Sequence, residues 1–356
     1  MSASLVAPPQ VSVIVRSFNR LPALCRLLPA LLAQRHDSFE IVIIEQSTQL
    51  PDSAVSALAA MEQDPRVRVL RSPPLGGPRA RNLGVRAARG EILLFIDDDD
   101  LPGDADWIAG HVANYGDPRC LGVTGRHLYA PGEAPPYANA RRAYRRCLGY
   151  SRLLKLPWTY ARQGQRKVGV AGVHGTGGSV RRSAVTRFGG WDEDTRIEDE
   201  ASFCLRVQQG KRPDEYVVFD PVPTLLRGMD VPGGLGKRYM TTGAYFDRFL
   251  DFVHNILGRY HPRRVALLYP LYVLSIYGWT LAWLWEDSKR HVSLPQRVGS
   301  ALWLLATLPL RVTRRLLVLA LMPTRPDAYA GPTGSGRGSL AAGSDPAPRS
   351  VAPSAE

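Results

Sequence analysis

Four consecutive aspartates, Asp97 to Asp100, directly follow the apolar run Ile92 to Ile96. An apolar run of this length predicts a buried strand, so we expect the carboxylates at the edge of a sheet. At such an edge two carboxylates can face a divalent cation while a third caps the next turn. Mg²⁺ and Mn²⁺ both favour oxygen ligands and keep coordination positions open for substrate phosphates. The aspartates therefore predict a metal and phosphate site, with a solvated acidic turn as the alternative.

A second group of carboxylates, Glu198, Asp199 and Glu200, lies shortly after the turn sequence Gly-Gly-Trp-Asp-Glu at 189–193. A carboxylate at the start of a helix near the metal-binding edge can accept a proton from an attacking hydroxyl. Acidic residues in a first helical turn are also ordinary partners of the helix dipole. By themselves these residues are compatible with either a general base or a helix start.

The elements that must position these residues alternate between strands and helices. Strands are predicted at 11–15, 40–44, 67–70, 91–96 and 217–220, and helices at 21–34, 54–61, 79–89 and 199–209. This alternation predicts an α/β fold with a parallel, doubly wound sheet that binds ligands at the carboxyl ends of its strands. A dinucleotide-binding oxidoreductase would share such a sheet, but it needs a GxGxxG motif after the first strand, and residues 16–20 contain no glycine.

Composition divides the chain into four segments: an N-terminal extension (1–10), an α/β domain (11–235), a helical, membrane-associating region (236–323) and a tail (324–356). Val265 to Trp285 carries no charge over twenty-one residues and is long enough to span a bilayer. Three arginines interrupt the second apolar run, Ser300 to Met322, which predicts a helix lying in the membrane interface. A buried helical hairpin is the alternative for both runs. The tail is rich in Pro, Gly, Ser and Ala and is predicted to be disordered.

The net charge of +13 is concentrated in two basic segments, 141–167 and 227–326. Basic segments that flank apolar runs favour an anionic membrane surface as partner, whereas no nucleic-acid-binding motif is present and no nucleic-acid partner is predicted.

Four scattered cysteines without a CxxC pair favour a reducing compartment over a zinc site or disulfide scaffold. Residues 1–10 lack the pattern of a cleaved signal peptide. We therefore expect the cytoplasmic face of the cell membrane, with peripheral attachment or one to two membrane segments.

The order of five motifs resembles glycosyltransferase family 2 over roughly residues 11–235. The motifs are Val11 to Arg20, Arg81-Asn82-Leu83-Gly84 before Gly90-Glu91, the strand into Asp97 to Asp100, the turn at 189–193, and Glu198-Asp199. The resemblance implies a GT-A fold, which is a Rossmann-related, mostly parallel sheet flanked by helices. It also implies metal-dependent, inverting transfer of a sugar from a nucleoside-diphosphate sugar to a glycan or lipid-linked acceptor, in cell-surface polysaccharide synthesis. A polyprenyl-phosphate sugar synthase and a catalytically inactive sugar-binding protein are the alternatives.

The resemblance also implies roles for residues on the donor side. Asp97 and Asp99 are similar to the DxD pair that binds Mg²⁺ or Mn²⁺, with Asp99 as the direct ligand and Asp97 also near the donor ribose or sugar. The other implied donor-binding residues are Ser17, Asn19, Glu45, Gln46 and Arg81. Gln46 departs from the family, in which an aspartate is common, although an amide can still pair with the edge of a base.

On the acceptor side, Asp199 matches the family's catalytic base, and the implied cleft residues are Glu198, Gly177, Gly178 and Trp191. A second departure follows the last strand, where the family often places a histidine that completes the metal site. Residues 224–230 contain no histidine, and Arg227 is nearest to the expected position. A guanidinium has no lone pair for a metal and stays charged, so Arg227 is expected to bind the donor diphosphate directly.

Overall fold

The computed structural model describes residues 10–48, 52–128, 147–151, 153–155, 157–158, 161, 164–193, 195, 199–228, 242–286 and 293–321. All of them belong to one compact unit that ends at Met322. The predicted tail, 324–356, and nearly all of the N-terminal extension lie outside the described residues.

Strands and helices alternate through the first hundred residues, as the sequence predicts. The strands are β1 (Val11–Ser17), β2 (Phe39–Glu45), β3 (Val67–Arg71), β4 (Ile92–Asp97), β5 (Leu101–Pro102), β6 (Cys120–Leu128), β7 (Gly149–Tyr150), β8 (Pro157–Trp158), β9 (Lys167–Val168), β10 (Gly178–Arg181) and β11 (Tyr216–Leu226). The helices are α1 (Leu21–Leu32), α2 (Asp52–Met61), α3 (Gly77–Ala87), α4 (Trp107–Val112), α5 (Arg182–Phe188), α6 (Asp199–Gly210), α7 (Thr242–Phe252), α8 (Gly258–Tyr260), α9 (Pro262–Glu286) and α10 (Leu294–Leu321). A 3₁₀ turn (Ala113–Gly116) follows α4, and a π-helical segment (Val253–Leu257) joins α7 to α8.

Among the described residues, nine strands form one sheet in the order β3-β2-β1-β4-β10-β6-β11-β5, with β9 paired to β11. The strands β3, β2, β1 and β4 are parallel to one another, as are β6 and β11. The short strand β10 lies between β4 and β6 and is antiparallel to both. This mostly parallel sheet with flanking helices confirms the predicted α/β class.

The central strands are buried on both faces, which explains their nearly continuous apolar sequences. Val13 and Val15 of β1 pack with Leu24 of α1 in the core on one face. Ile14 points to the other face, where α3 approaches so closely that a Cβ on Gly84 would lie 2.4 Å from the Cγ2 of Ile14. Each fully buried side chain of this kind contributes about 1.5–3 kcal/mol.

A buried polar network fixes the amino ends of the same strands. The hydroxyl of Ser12 donates to Glu40 Oε1 (2.7 Å) and accepts the backbone N–H of Gly90 (2.7 Å). The Arg89 guanidinium donates to Glu40 Oε2 (2.9 Å). A Cβ on Gly90 would lie 2.6 Å from the backbone nitrogen of Ser12, so the turn before β4 requires glycine there. The Gly-Glu pair at 90–91 therefore aligns the start of the strand that carries the aspartates.

The C-terminal helices α7 to α10 pack around a core of their own. Phe246, Leu250, Ile256, Tyr272, Ile276 and Leu304 are buried in this core, together with Ala201 and Leu205 of α6. Within α9, residues 262–282 are long and apolar enough to cross a membrane, with a mean hydropathy of 1.5 and 22% of the residues in its most apolar window buried. Exposed leucines on α9 and α10 include Leu267, Leu274, Leu302 and Leu310.

One of the arginines that interrupt the second apolar run has a partner inside the protein. Arg311 Nη1 donates to Asp247 Oδ2 of α7 (2.6 Å), and the guanidinium lies 4.5 Å above the ring of Trp303. The charge of Arg311 is therefore neutralised by an ion pair that joins α10 to α7.

Candidate active site

The carboxyl ends of β1, β2 and β4 lie side by side because the three strands are parallel and in register. Ser17 pairs with Glu45, and Arg16 pairs with Asp97. At the opposite edge strand of the sheet, β5 pairs with the end of β11, and this pairing brings Arg227 to the aspartate turn that follows β4. The segments predicted to bind the donor thus converge at one edge of the sheet.

The four aspartates alternate between outward and inward positions. The side chains of Asp97 and Asp99 are 24% and 17% exposed, whereas those of Asp98 and Asp100 are 0% and 1% exposed. The outward positions are the two that the sequence predicts as metal ligands. Carboxylate oxygens of Asp97, Asp99 and Asp100 lie within 4.8 Å of one another, and a set of hard oxygen donors at this spacing suits Mg²⁺ or Mn²⁺.

Three arginines surround the aspartates. Arg16 Nη2 lies 2.7 Å from Asp97 Oδ1, and Arg20 contacts both Asp98 Oδ1 (2.6 Å) and Asp99 Oδ2 (2.7 Å). Arg227 Nε lies 3.4 Å from Asp100 Oδ1. The positive charges of these guanidiniums offset the repulsion among four carboxylates that lie close together in a site with little access to water.

Asp97 differs in acidity from the two inward aspartates, Asp98 and Asp100. Burial opposes ionisation of Asp97, but Arg16 and Arg227 outweigh it and lower the pKa to about 2. Burial raises the pKa of Asp98 to about 7 against the effect of Arg20. Burial likewise raises the pKa of Asp100 to about 7 against the effect of Arg227. Asp97, which faces outward, therefore carries a full negative charge at neutral pH.

Thr176 holds the aspartate turn in shape, a role that no motif in the sequence indicates. Its hydroxyl accepts the backbone N–H of Asp97 (3.0 Å) and donates to Asp100 Oδ2 (2.8 Å). The other oxygen of Asp100 accepts the backbone N–H of Gly228 (3.1 Å). Asp100 is thus committed to supporting the turn, which favours Asp97 and Asp99 as the residues that face a ligand.

Thr176→Val is expected to lower the free energy of unfolding by about 1–3 kcal/mol, because a partly buried N–H and a buried carboxylate oxygen lose their partner. Urea denaturation of the purified protein measures this loss, and calorimetry with Mn²⁺ tests whether affinity for the cation falls with it. Thr176→Ser keeps the hydroxyl and should retain most of both. Equal stability of the valine and wild-type proteins would show that the bridge is unimportant.

The loops after β1 and β2 are joined to each other. Asn19 has a left-handed backbone (φ 55°), its N–H donates to Ser47 Oγ (2.7 Å), and its side-chain oxygen accepts the N–H of Thr48 (3.2 Å). Buried Glu45 accepts the N–H of Ser47 through Oε1 (2.5 Å). Ser17 is also buried, and its hydroxyl helps to lower the pKa of the neighbouring Asp98. Asn19, Glu45 and Ser17 therefore shape the loops from within.

Gln46, the first departure from the family pattern, has a structural contact. Its side-chain oxygen accepts the N–H of Leu75 (2.9 Å), and its own backbone N–H donates to Ser17 O (3.0 Å). The amide oxygen therefore ties the loop after β2 to the segment that leads into α3.

Arg81 and Trp191 lie beneath this edge of the sheet. Arg81 is 1% exposed, donates from Nη2 to Gly175 O (3.1 Å), and lies 5.3 Å above the Trp191 ring. Trp191 packs edge-on to Phe95 (4.9 Å) and stacks on Phe203 (5.1 Å). From this buried position the charge of Arg81 helps to lower the pKa of Asp97.

Gly177 and Gly178 allow the Thr176 segment to approach the aspartates. Gly177 has a φ of +62°, and a Cβ there would lie 2.9 Å from Leu225 Cδ2. Gly178 lies within β10 between two strands, where a Cβ would meet the carbonyl oxygen of His174 at 2.3 Å. Both glycines therefore act through close backbone packing.

Helix α6 begins at Asp199. Glu198 and the Asp199 side chain lie outside the described residues, so their assignments stay predictions.

Comparison with known proteins gives a consistent result. The sequence model of glycosyl transferase family 2 matches residues 12–189, which is half of the chain. The chain is similar to succinoglycan biosynthesis protein ExoO of Rhizobium meliloti, with 34% identity over 26% of either chain. It is also similar to O-antigen biosynthesis protein RfbC of Myxococcus xanthus, with 32% identity over 35% of this chain and 10% of RfbC. Across eight curated relatives, the match spans 10–40% of the relative's own length.

The fold is similar to that of a solved mannosyltransferase from Pyrobaculum calidifontis. The TM-score is 0.51 at 20% identity, over 90% of this chain and 88% of that one. This likeness confirms the predicted GT-A architecture.

Proposed function

The chain belongs to glycosyltransferase family 2, and we propose that it transfers a sugar from a nucleoside-diphosphate sugar to a hydroxyl group, with inversion at the anomeric carbon. The observation that supports this most directly is the outward pair Asp97 and Asp99, with Arg227 beside the same turn. Carboxylates and a guanidinium at this edge suit a diphosphate and its cation. The Pyrobaculum mannosyltransferase was solved with GDP-Man and Mn²⁺, which supports the donor class.

On the donor side, Asp99 and Asp97 would hold Mg²⁺ or Mn²⁺, and Asp97 would also lie near the donor ribose or sugar. When bound, the ion would neutralise negative charge on the departing diphosphate. Arg227 would contact the same diphosphate through its planar guanidinium. The loops that carry Ser17, Asn19, Glu45 and Gln46 would hold the nucleoside, and Arg81 would add positive potential from below.

The transfer itself would be a single displacement. Asp199 takes the proton of the acceptor hydroxyl, and the resulting oxygen attacks the anomeric carbon from the face opposite the diphosphate. The bond between that carbon and the phosphate oxygen breaks, and the nucleoside diphosphate leaves with the electron pair. One attack inverts the configuration. Gly177, Gly178, Trp191 and Glu198 would shape the space around the sugar and the acceptor.

The test is a screen of the purified full-length protein against several nucleotide sugars, with Mn²⁺, with Mg²⁺ and with a chelator. Release of nucleoside diphosphate that depends on donor, acceptor and metal is expected, and the anomeric configuration of the product is read by NMR. Retention of configuration would overturn the single displacement. Donor binding without any turnover would favour the inactive sugar-binding alternative.

For the acceptor, we propose a glycan in cell-surface polysaccharide synthesis. The printed names of ExoO and RfbC, which concern succinoglycan and O-antigen biosynthesis, support this choice. A lipid-linked acceptor is the second candidate, and polyprenyl phosphate is the acceptor of the alternative function; the apolar stretch within α9 is the observation that supports either of them. Both acceptors can be offered in the same assay, and the molecule that gains the sugar is then identified as the acceptor.

We also propose attachment to the cytoplasmic face of the cell membrane through α9 and α10. Full-length protein is expected to float with vesicles that contain phosphatidylglycerol and less with vesicles of phosphatidylcholine alone, because basic residues near a bilayer gain about 1 kcal/mol each from anionic lipid. Leu267→Asp with Leu274→Asp should reduce flotation, since these side chains are 80% and 62% exposed. Each leucine is also changed singly, and Val222→Asp, at a residue that is 68% exposed on β11, is the control matched in charge to either single variant. Full-length protein that stays unbound at low salt would contradict the proposal.

A further inference from the structure

The Gly-Gly-Trp-Asp-Glu turn is bound directly to helix α6. The N–H of Asp192 donates to Ser202 Oγ (3.3 Å), and Arg206 Nη1 donates to Asp192 Oδ1 (2.5 Å). Arg206 Nε also donates to the carbonyl of Phe188, just before the turn (2.7 Å). Ser202 and Arg206 both lie on α6, so the turn and this helix form one structural unit.

The C-terminal helical region reaches the same carboxylate. Arg259 Nη1 and the hydroxyl of Tyr260 both donate to Asp192 Oδ2, at 2.8 and 3.0 Å. The side chains of Arg206, Asp192 and Arg259 are 8%, 14% and 24% exposed. Ion pairs this well shielded from water are more costly to break than surface pairs, because a carboxylate left without any partner would be poorly solvated.

Apolar packing holds α6 from two sides. Ala201 and Leu205 are buried among the side chains of the C-terminal helices. Phe203 and Val207 point the other way and are buried against the sheet, in the same core as Trp191. The orientation of α6 is therefore set jointly by the sheet and by the C-terminal helices.

We propose that Asp192 and Arg259 are positioning residues for catalysis, through which the C-terminal helical region orients α6. This inference rests on the proposed function, in which Asp199, the first residue of α6, is the general base. Neither residue touches the substrate in this proposal. A small tilt of α6 displaces its first residue, and displacement of a reacting group by about 1 Å lowers turnover by roughly 100-fold. The C-terminal helices are then part of the catalytic apparatus as well as a membrane anchor.

The test compares Arg259→Ala, Arg259→Lys and Arg263→Ala in the full-length protein in detergent. Arg259→Ala leaves Asp192 paired with Arg206, so the chain should fold. Its kcat is expected to fall about 10- to 100-fold, with the KM for the donor and the melting temperature close to wild type. The lysine variant should recover part of kcat. Arg263, an exposed arginine four residues on, is the matched control and should keep wild-type turnover.

Amide hydrogen exchange supplies a readout that does not depend on activity. Arg259→Ala is expected to speed exchange at the start of α6 while exchange in β1 and β4 stays unchanged. Unchanged exchange in α6, or unchanged kcat, would overturn the inference. A parallel fall in kcat, donor affinity and melting temperature without rescue by lysine would also overturn it, as a purely structural role. If wild-type protein transfers no sugar from any donor, the proposed function fails, and the exchange result alone decides whether Arg259 orients α6.

Discussion

Asp199→Asn is expected to abolish sugar transfer while leaving binding of the nucleotide sugar nearly intact. The amide keeps the shape and size of the carboxylate, but it cannot accept a proton from the acceptor hydroxyl. General base catalysis contributes about 10²–10⁴-fold to a rate, so turnover should fall by that factor. Initial rates at saturating donor and acceptor measure the effect, and calorimetry with the nucleoside diphosphate measures the donor site separately.

Asp214→Asn is the matched control for this substitution. Asp214 is an exposed residue in the turn before β11, so this substitution removes the same negative charge as Asp199→Asn at a position away from the candidate site. Wild-type turnover is expected for this variant. Transfer by Asp199→Asn within about threefold of wild type, well below the contribution of a general base, would remove Asp199 from the mechanism.

The strands that carry the candidate site were predictable because they are buried on both faces. Continuous apolar runs in β1, β2 and β4 are typical of parallel strands, and each is followed by polar residues at the ligand-binding edge. The observed bounds of β1, β2 and β4 differ from the predicted ones by only one or two residues, whereas β11 continues six residues beyond its predicted end at Asp220. The pairing of Arg16 with Asp97 and of Arg20 with Asp99 was missed, because it depends on the register between β1 and β4. A pattern of apolar residues within each strand carries no information about that register.

The short antiparallel strand β10 was also missed. β10 has only four residues and follows a glycine-rich stretch, so its sequence indicates a loop. It is a strand because β4 and β6 supply hydrogen-bonding partners on both sides. Thr176, two residues before β10, reaches the aspartate turn because β10 pairs with β4. Hydropathy predicted the apolar helix α9. It could not predict that Arg311 of α10 contacts Asp247 of α7, because these two residues are distant in sequence.

The second large effect is expected at Arg227, where the family pattern predicts a metal-binding histidine. Arg227 lies beside the aspartates rather than at a distant surface: its Nε is 3.4 Å from Asp100 Oδ1, and its backbone N–H donates to Leu128 O (2.7 Å). Its charge also lowers the pKa of Asp97. A guanidinium cannot ligate a cation, but it can bind a diphosphate through two parallel hydrogen bonds. We therefore propose that Arg227 stabilises the leaving group while Asp97 and Asp99 hold the metal.

Arg227→Ala is expected to lower kcat by about 10²–10³-fold, the usual cost of removing a group that stabilises developing charge. Added Mn²⁺ should not restore the lost turnover, because the missing interaction is with the diphosphate and not with the cation. Affinity for the free nucleoside diphosphate should fall as well, which calorimetry measures without turnover. Arg227→Lys keeps the charge but loses the planar pair of donors and should recover only part of kcat. Arg26→Ala, at an exposed position on α1, controls for the loss of one positive charge. Full rescue by Mn²⁺ would instead show that Arg227 acts by arranging the metal-binding aspartates, and near-normal turnover would show that the diphosphate is bound without it.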